Sequence, residues 1–302
     1  MHVNKERSLH AVMLSELPAM GERGLARVLA LVRAQGGGLA DFFRLPAAVL
    51  REAYRLPEAA IRRLTDEGEA HAARCRWLLD LFTARGGAVW ALDDPAYPSR
   101  LRHRPCRPPA VLYAVGNRAA LDIPTVALLH SRSIGGDAIA VTPRLVHAAA
   151  ADGFAVVSGG MKATHRIVAV AARAVAAPRV IVLDRGMVAT FGVAFDRDPF
   201  GMGPRRGRLD RDRTLVLSPF RLMDGAVPSN GQRRDELVAT LADVLVAVHA
   251  RPGGAIERIC FEALDRGQCV LSWLGENAGL VAAGATVIED ADRCRLSRFV
   301  PQ

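Results

Sequence analysis

Lysine is almost missing from this chain. Of its 40 basic residues only Lys5 and Lys162 are lysine, and the rest are arginine. Alongside the abundant alanine and glycine, that bias fits a GC-rich coding sequence, so basicity alone does not decide for a nucleic-acid partner. Aromatic residues are also scarce, at 5%, and no cluster of them offers a stacking platform for bases. The five cysteines (Cys75, Cys106, Cys260, Cys269 and Cys294) are odd in number and widely spaced. No CxxC pair exists, which excludes a zinc ribbon and a disulfide framework. They read as reduced thiols of a cytoplasmic protein. His130, His147, His165 and His249 show no paired metal-ligand spacing, so no metal and no cofactor is expected. No run approaches the ~18 apolar residues of a membrane helix, and residues 1–15 do not read as a signal peptide. A Walker A loop, a Gly-x-Ser-x-Gly elbow and a catalytic Cys/His signature are all missing.

What is present describes a folded globular protein. Half of the 302 residues are hydrophobic and 24% are charged, enough for a sizeable core. The formal net charge of +9 and the pI of about 10.1 favour polyanionic partners. The length suggests one large domain and one small one, with the boundary between 1–84 and 85–302.

Residues 8–83 carry helical periodicity. Leu9, Val12, Met13 and Leu17 share one stripe, and Leu25, Val28, Leu29 and Val32 share the next. The turn Leu17-Pro18-Ala19-Met20-Gly21-Glu22-Arg23-Gly24 joins them and resembles a helix-hairpin-helix or SAM-like element. Such a turn either presents N–H groups to a phosphate or simply connects two helices. Gly36-Gly37-Gly38 ends the second helix, and two more are predicted near 46–53 and 57–83. Proline then dominates 93–109 and predicts an extended connection between strands at 88–92 and 111–115.

From 124 onward, short apolar runs alternate with helical segments. Strands are predicted at 125–129, 154–158, 179–183, 214–217, 244–249, 268–273 and 285–288. Helices are predicted at 137–151, 162–177, 231–242, 255–266 and 276–283. Near-continuous apolar strands separated by helices predict an α/β, Rossmann-like, mostly parallel sheet with helices on both faces, preceded by the small all-helical head. Residues 185–213 break the pattern and read as a long loop.

Three segments resemble the DprA/Smf family of DNA-processing proteins. Asp94-Pro95-Ala96-Tyr97-Pro98-Ser99-Arg100-Leu101, continuing to Pro108-Pro109-Ala110-Val111-Leu112-Tyr113 and Gly116-Asn117, is similar to the family's DPxYPxxL…PPxxLYxxGN. Val126 to Arg132, followed by Val157-Ser158-Gly159-Gly160, is similar to VAxVGSR and VSGxARGID. Leu237 to Val248, then Arg251-Pro252-Gly253-Gly254, is similar to the family's later segment. Four places along the chain depart. His130 stands for Gly, Lys162-Ala163-Thr164-His165 for Arg-Gly-Ile-Asp, Arg234-Asp235-Glu236 for Arg-Asn-Arg, and Ala255-Ile256 for Gly-Thr or Gly-Ser. The chain also ends near its last strand, without the winged-helix-like domain of many members. The resemblance implies a non-enzymatic protein that binds single-stranded DNA, loads RecA in transformation and recombination, and self-associates as a homodimer. A nucleotide sensor built on the same pocket is the alternative.

In an open parallel sheet, ligands sit beyond the carboxyl ends of the strands. Three strand-to-helix loops should meet there: His130–Asp137, Ser158–Ala163 and Arg251–Ile256. Helix N-termini supply unpaired N–H groups and partial positive charge, and glycine lets backbone approach an anion. Ser131 and Arg132 then donate to phosphate or cap the strand end. Ser158, Gly159 and Gly160 form a second wall or an ordinary turn. Lys162 pairs with a phosphate or is solvated. Arg251, Gly253 and Gly254 complete the cradle. They are similar to the Pro-Gly-Gly motif of LOG-type nucleotide hydrolases, but Cys260 falls where those enzymes carry a catalytic glutamate, and Glu257 and Glu262 lie off register. Turnover is therefore not expected. Arg205, Arg206, Arg208, Arg211 and Arg213, with Arg233 and Arg234, are candidates for a nucleic-acid path or a solvated loop.

Overall fold

The computed structural model describes residues 2–103, 107–132, 135–160, 162–200, 207–274 and 276–300. The head contains α1 (His2–Ser15), α2 (Glu22–Ala34), α3 (Leu39–Phe42), α4 (Ala47–Glu52), α5 (Glu58–Thr65) and α6 (Gly68–Thr83). The single helix expected over 57–83 is thus broken in two. The break falls beside Gly68, whose missing side chain weakens helical continuity. Head residues divide between two cores. Leu14, Leu17, Val28, Val32, Phe42 and Ile61 gather among themselves. Ala11, Val12, Leu78, Leu79 and Phe82 pack instead against Val89, Val111, Tyr113 and Val216 of the sheet. The hydroxyls of Ser15 and Tyr113 share a hydrogen bond of 2.6 Å at that junction.

Nine strands form one sheet: β1 (Gly87–Ala91), β2 (Val111–Gly116), β3 (Thr125–His130), β4 (Ala155–Gly159), β5 (Arg179–Val182), β6 (Thr214–Ser218), β7 (Val244–His249), β8 (Cys269–Trp273) and β9 (Thr286–Ile288). Their order is β1-β2-β6-β5-β4-β3-β7-β8-β9. β1 and β2 are antiparallel to each other, and β2 is antiparallel to β6. All other neighbours are parallel. The strands read as unbroken apolar runs because both faces are covered. Ala127, Val157, Val182, Leu217 and Leu245 face α11 (Pro228–Leu241) and α12 (Ala255–Asp265). Val126, Val156, Val244 and Val246 face α8 (Gly136–Ala151) and α9 (Ala163–Ala174). Short helices α7 (Ser99–His103), α10 (Met187–Phe191) and α13 (Ala278–Ala282) complete the set. The segment read as a loop over 185–213 therefore contains α10, and an antiparallel bridge joins Arg197 to Arg208.

The proline-rich connection is fastened to the sheet centre by one arginine. Arg100 donates to Thr125 Oγ1 at 2.7 Å, to the Ile123 carbonyl at 2.9 Å and to the Asp243 carboxylate. Asp243 also accepts from the Thr125 amide at 2.9 Å. The clasp joins the start of β3, the start of β7 and α7. Asp243→Ala strands a half-buried guanidinium and removes an acceptor from Thr125. It is expected to lower stability by roughly 2–4 kcal/mol. A urea midpoint equal to that of the wild type would show that the clasp carries no stability.

Candidate functional site

The chain winds outward from β3 in one direction through β4, β5 and β6, then returns to place β7 on the other side of β3. The two windings part between β3 and β7, the switch point beyond which open parallel sheets place their ligands. Ser131 fastens that point. Its amide donates to the His249 carbonyl at 2.8 Å, and its Oγ accepts the Arg251 amide at 2.7 Å. Arg132 and Arg251 flank Ser131, both exposed and both without a side-chain ion pair among the described residues.

The next loop along the edge follows β4. Ser158 is buried, and Gly160 donates to the Val182 carbonyl at 2.7 Å. Gly159 cannot be any other residue here. A Cβ would sit 2.4 Å from His165 Cε1 and 2.7 Å from Arg234 Cδ. Lys162 is the N-cap residue of α9. Its ammonium donates to Asp235 Oδ2 at 2.8 Å while its side chain stays 31% exposed. The third loop follows β7. Gly253 adopts a φ of +69°, which favours glycine, and its N–H donates to Glu257 Oε2 at 2.7 Å. The loop amide just before the N-cap Gly254 is therefore already held by a carboxylate of the first turn of α12.

Arg233 and Arg234 take different places from the cradle loops. Arg234 is 1% exposed. It bonds Asp184 at 2.9 Å and Asp235 at 2.9 Å and reaches the Gly160 carbonyl at 3.4 Å. A buried guanidinium must be neutralised, and these two carboxylates do it. Arg233 bonds Glu22 of α2 and the Arg107 carbonyl. Neither side chain stands free to meet a ligand. The arginine-rich stretch lies at the other edge of the sheet, because it precedes the first residue of β6. Arg211 donates to the carbonyls of Arg85 and Phe195, and Arg213 donates to the Ala176 carbonyl at 3.2 Å. Arg205 and Arg206 lie outside the described residues. Sequence reasoning missed Asp184, Arg185 and the pairing role of Asp235. A carboxylate directly after the buried strand β5 was the available signal.

Two histidines are buried beside the cradle. His165 is held down to about 4, first by burial and then by the charge of Arg234. His130 is also held down to about 4, mainly by burial, and its Nε2 pairs with Thr142 Oγ1 at 2.8 Å. Both are neutral near pH 7. No cluster of metal-ligating side chains occurs among the described residues, and no helix among them is long and apolar enough to cross a membrane.

Residues 88–294 match the family described as DNA recombination-mediator protein A. DNA processing protein A from Streptococcus pneumoniae is similar in fold, with a TM-score of 0.72 and 16% identity, covering 99% of this chain and 98% of that one. DNA processing protein A from Helicobacter pylori, whose structure addresses its single-stranded DNA binding mode, has a TM-score of 0.51 and 20% identity. It covers 68% of this chain and 92% of its own. No curated protein matches.

The neutral burial of His165 has a consequence for stability. Its folded value lies below the ordinary 6.5 of a free ring, so the unfolded chain takes up the proton more readily. The contribution is complete above about pH 6.5 and is lost as pH falls toward 4, by up to about 3 kcal/mol. Urea midpoints are expected to fall between pH 7 and pH 5, and less steeply in His165→Gln. Parallel slopes would show that the ring is not buried neutral.

Proposed function

The chain belongs to the DNA recombination-mediator protein A family, and from that premise we propose that it binds single-stranded DNA through its phosphates at the carboxyl edge of the parallel strands. The observation that carries this reading is the convergence of three strand-to-helix loops where the windings part. Arg132 and Arg251 stand exposed on either side of Ser131, and Lys162 opens α9 beside Gly160. Exposed guanidiniums, an ammonium and helix N-termini suit a chain of phosphates. The same resemblance makes RecA and a second copy of this chain its partners, in the cytoplasm.

Binding without turnover fits the chemistry of α12. Cys260 is fully buried, and burial pushes its thiol up to about 12. Glu257 is engaged with the Gly253 amide. The Cys260 thiol is withheld from acid or base work, and Glu257 spends one oxygen on the loop.

Asp235 tempers the site. It holds the Lys162 ammonium that a phosphate would take, so the two anions compete for one cation. Asp235→Asn keeps an oxygen for Arg234 and releases Lys162.

Fluorescence anisotropy of a labelled oligothymidine across a salt series tests the reading. Arg132→Ala, Arg251→Ala and Lys162→Ala are each expected to weaken binding several-fold and to reduce the salt slope by about one. Asp235→Asn is expected to tighten it. No binding at low salt, or variants indistinguishable from wild type, would overturn the assignment.

A further inference from the structure

Between the head and the sheet lies a second concavity, of about 470 Å³. The α1–α2 turn, the start of β2 and the β6–α11 loop enclose it. That volume lies within the range of small-ligand sites. Met20, Leu25, Val227 and Phe220 make much of its wall apolar. Phe220 is half-buried and supplies an aromatic face in a chain with few aromatics.

The polar part of the wall includes two carboxylates, two guanidiniums and the Asn230 amide. Two guanidiniums border the cavity, and both are already engaged. Arg221 donates to the carbonyls of Leu17 at 2.9 Å and Met20 at 3.3 Å, and Arg233 is held by Glu22 and the Arg107 carbonyl. Asp224 gives one carboxylate oxygen to the Arg221 amide at 3.3 Å. Its other oxygen has no partner among the described residues. Asn230 lines the cavity and donates its side-chain N–H to the Asp184 carbonyl at 2.9 Å, while its side-chain oxygen has no partner among the described residues. Glu22 adds a second carboxylate.

The wall's carboxylate and amide oxygens accept N–H groups. A flat heterocycle with amino donors satisfies them. Guanine fits best, because its ring N–H and its amino group lie side by side and present two donors to the oxygens of that wall. Thymine fits worst, because its single N–H lies between two carbonyl oxygens. The cavity also adjoins the cradle. Asn230 holds the Asp184 backbone, the Asp184 carboxylate holds Arg234, and Asp235 links Arg234 to Lys162. The cradle is cationic where phosphates pass, and the cavity is partly apolar, with carboxylate oxygens, where a base would turn inward.

We propose that this cavity receives one amino-bearing base, guanine above all, from a single strand whose phosphates lie on the cradle. The inference rests on the DNA-binding reading and adds base preference to it. The stacked face belongs to Phe220, the acceptors to Asp224 and Asn230, and the opening is bordered by the half-exposed Val227.

The test compares a labelled oligothymidine of about twenty nucleotides with the same strand carrying one central guanine. Binding is measured to wild type, Val227→Trp and Asp224→Asn, with guanosine monophosphate as a competitor. Thermal melting confirms that both variants are folded. One guanine is expected to tighten binding by about tenfold, the effect of a single stacked base. Val227→Trp fills the cavity and is expected to bring the guanine strand down to the oligothymidine level. Asp224→Asn is expected to remove most of the preference. If both strands bind equally to wild type, the base site is overturned and the phosphate cradle stands. If guanosine monophosphate binds and neither strand does, the strand reading is overturned while Val227→Trp still tests the cavity as a nucleotide site. If neither strands nor nucleotide bind, both assignments fall.

Discussion

A guanidinium at 1% exposure dictates much of what surrounds it. Arg234 requires counter-charges inside the protein, and Asp184 and Asp235 supply them. Asp184 follows β5, Asp235 shares α11 with the arginine, and Lys162 begins α9. One ion cluster therefore sets the spacing of three elements around the end of the sheet. Arg185 adds a further cation on Asp184 at 3.0 Å. Removing one partner of a buried pair leaves the other uncompensated, so the positions depend on one another. The cluster also explains why the strand β4 ends in Gly159, since the ring of His165 and the stem of Arg234 occupy the space of a side chain.

The same cluster decides which cations face outward. Arg234 is spent on structure, and Lys162 is shared with Asp235. Arg132 and Arg251 carry their charge in water at the switch point of the sheet. A basic chain is thus sorted into internal and external charge by a few carboxylates. The head contributes to this sorting. Glu22 binds Arg233, and Arg221 holds the carbonyls at the end of the α1–α2 turn. The turn faces the sheet domain, and the first turn of α2 brings a carboxylate to the junction.

Much of the architecture was legible in residue order. Val244 to Val248 and Val126 to Leu129 are unbroken apolar runs, and only a strand buried on both faces uses such a run. The helices between them fell within a few residues of their observed bounds. The break near Gly68 was not read, although Thr65-Asp66-Glu67-Gly68-Glu69 interrupts the apolar pattern there. The cradle loops were readable from their glycines and their place after strands. The partners of Arg234 were not, because Asp184 is 50 positions away and only the fold brings it near. The arginine-rich stretch stayed open between a nucleic-acid path and a solvated loop for a related reason. Charge density says nothing about which edge of a sheet a loop occupies, and the start of β6 places it away from the cradle.

The central strand carries a cost in time. β3 pairs with β4 shortly after both are made, but its other neighbour, β7, lies far downstream. Thr125 and Asp243, which join their beginnings, are 118 positions apart. At the pace of translation this separation corresponds to on the order of ten seconds. Over that interval the middle of the sheet presents an open, apolar edge. A growing chain with this topology exposes its stickiest surface in mid-synthesis, and ribosome-associated chaperones have most to guard before residue 244 emerges.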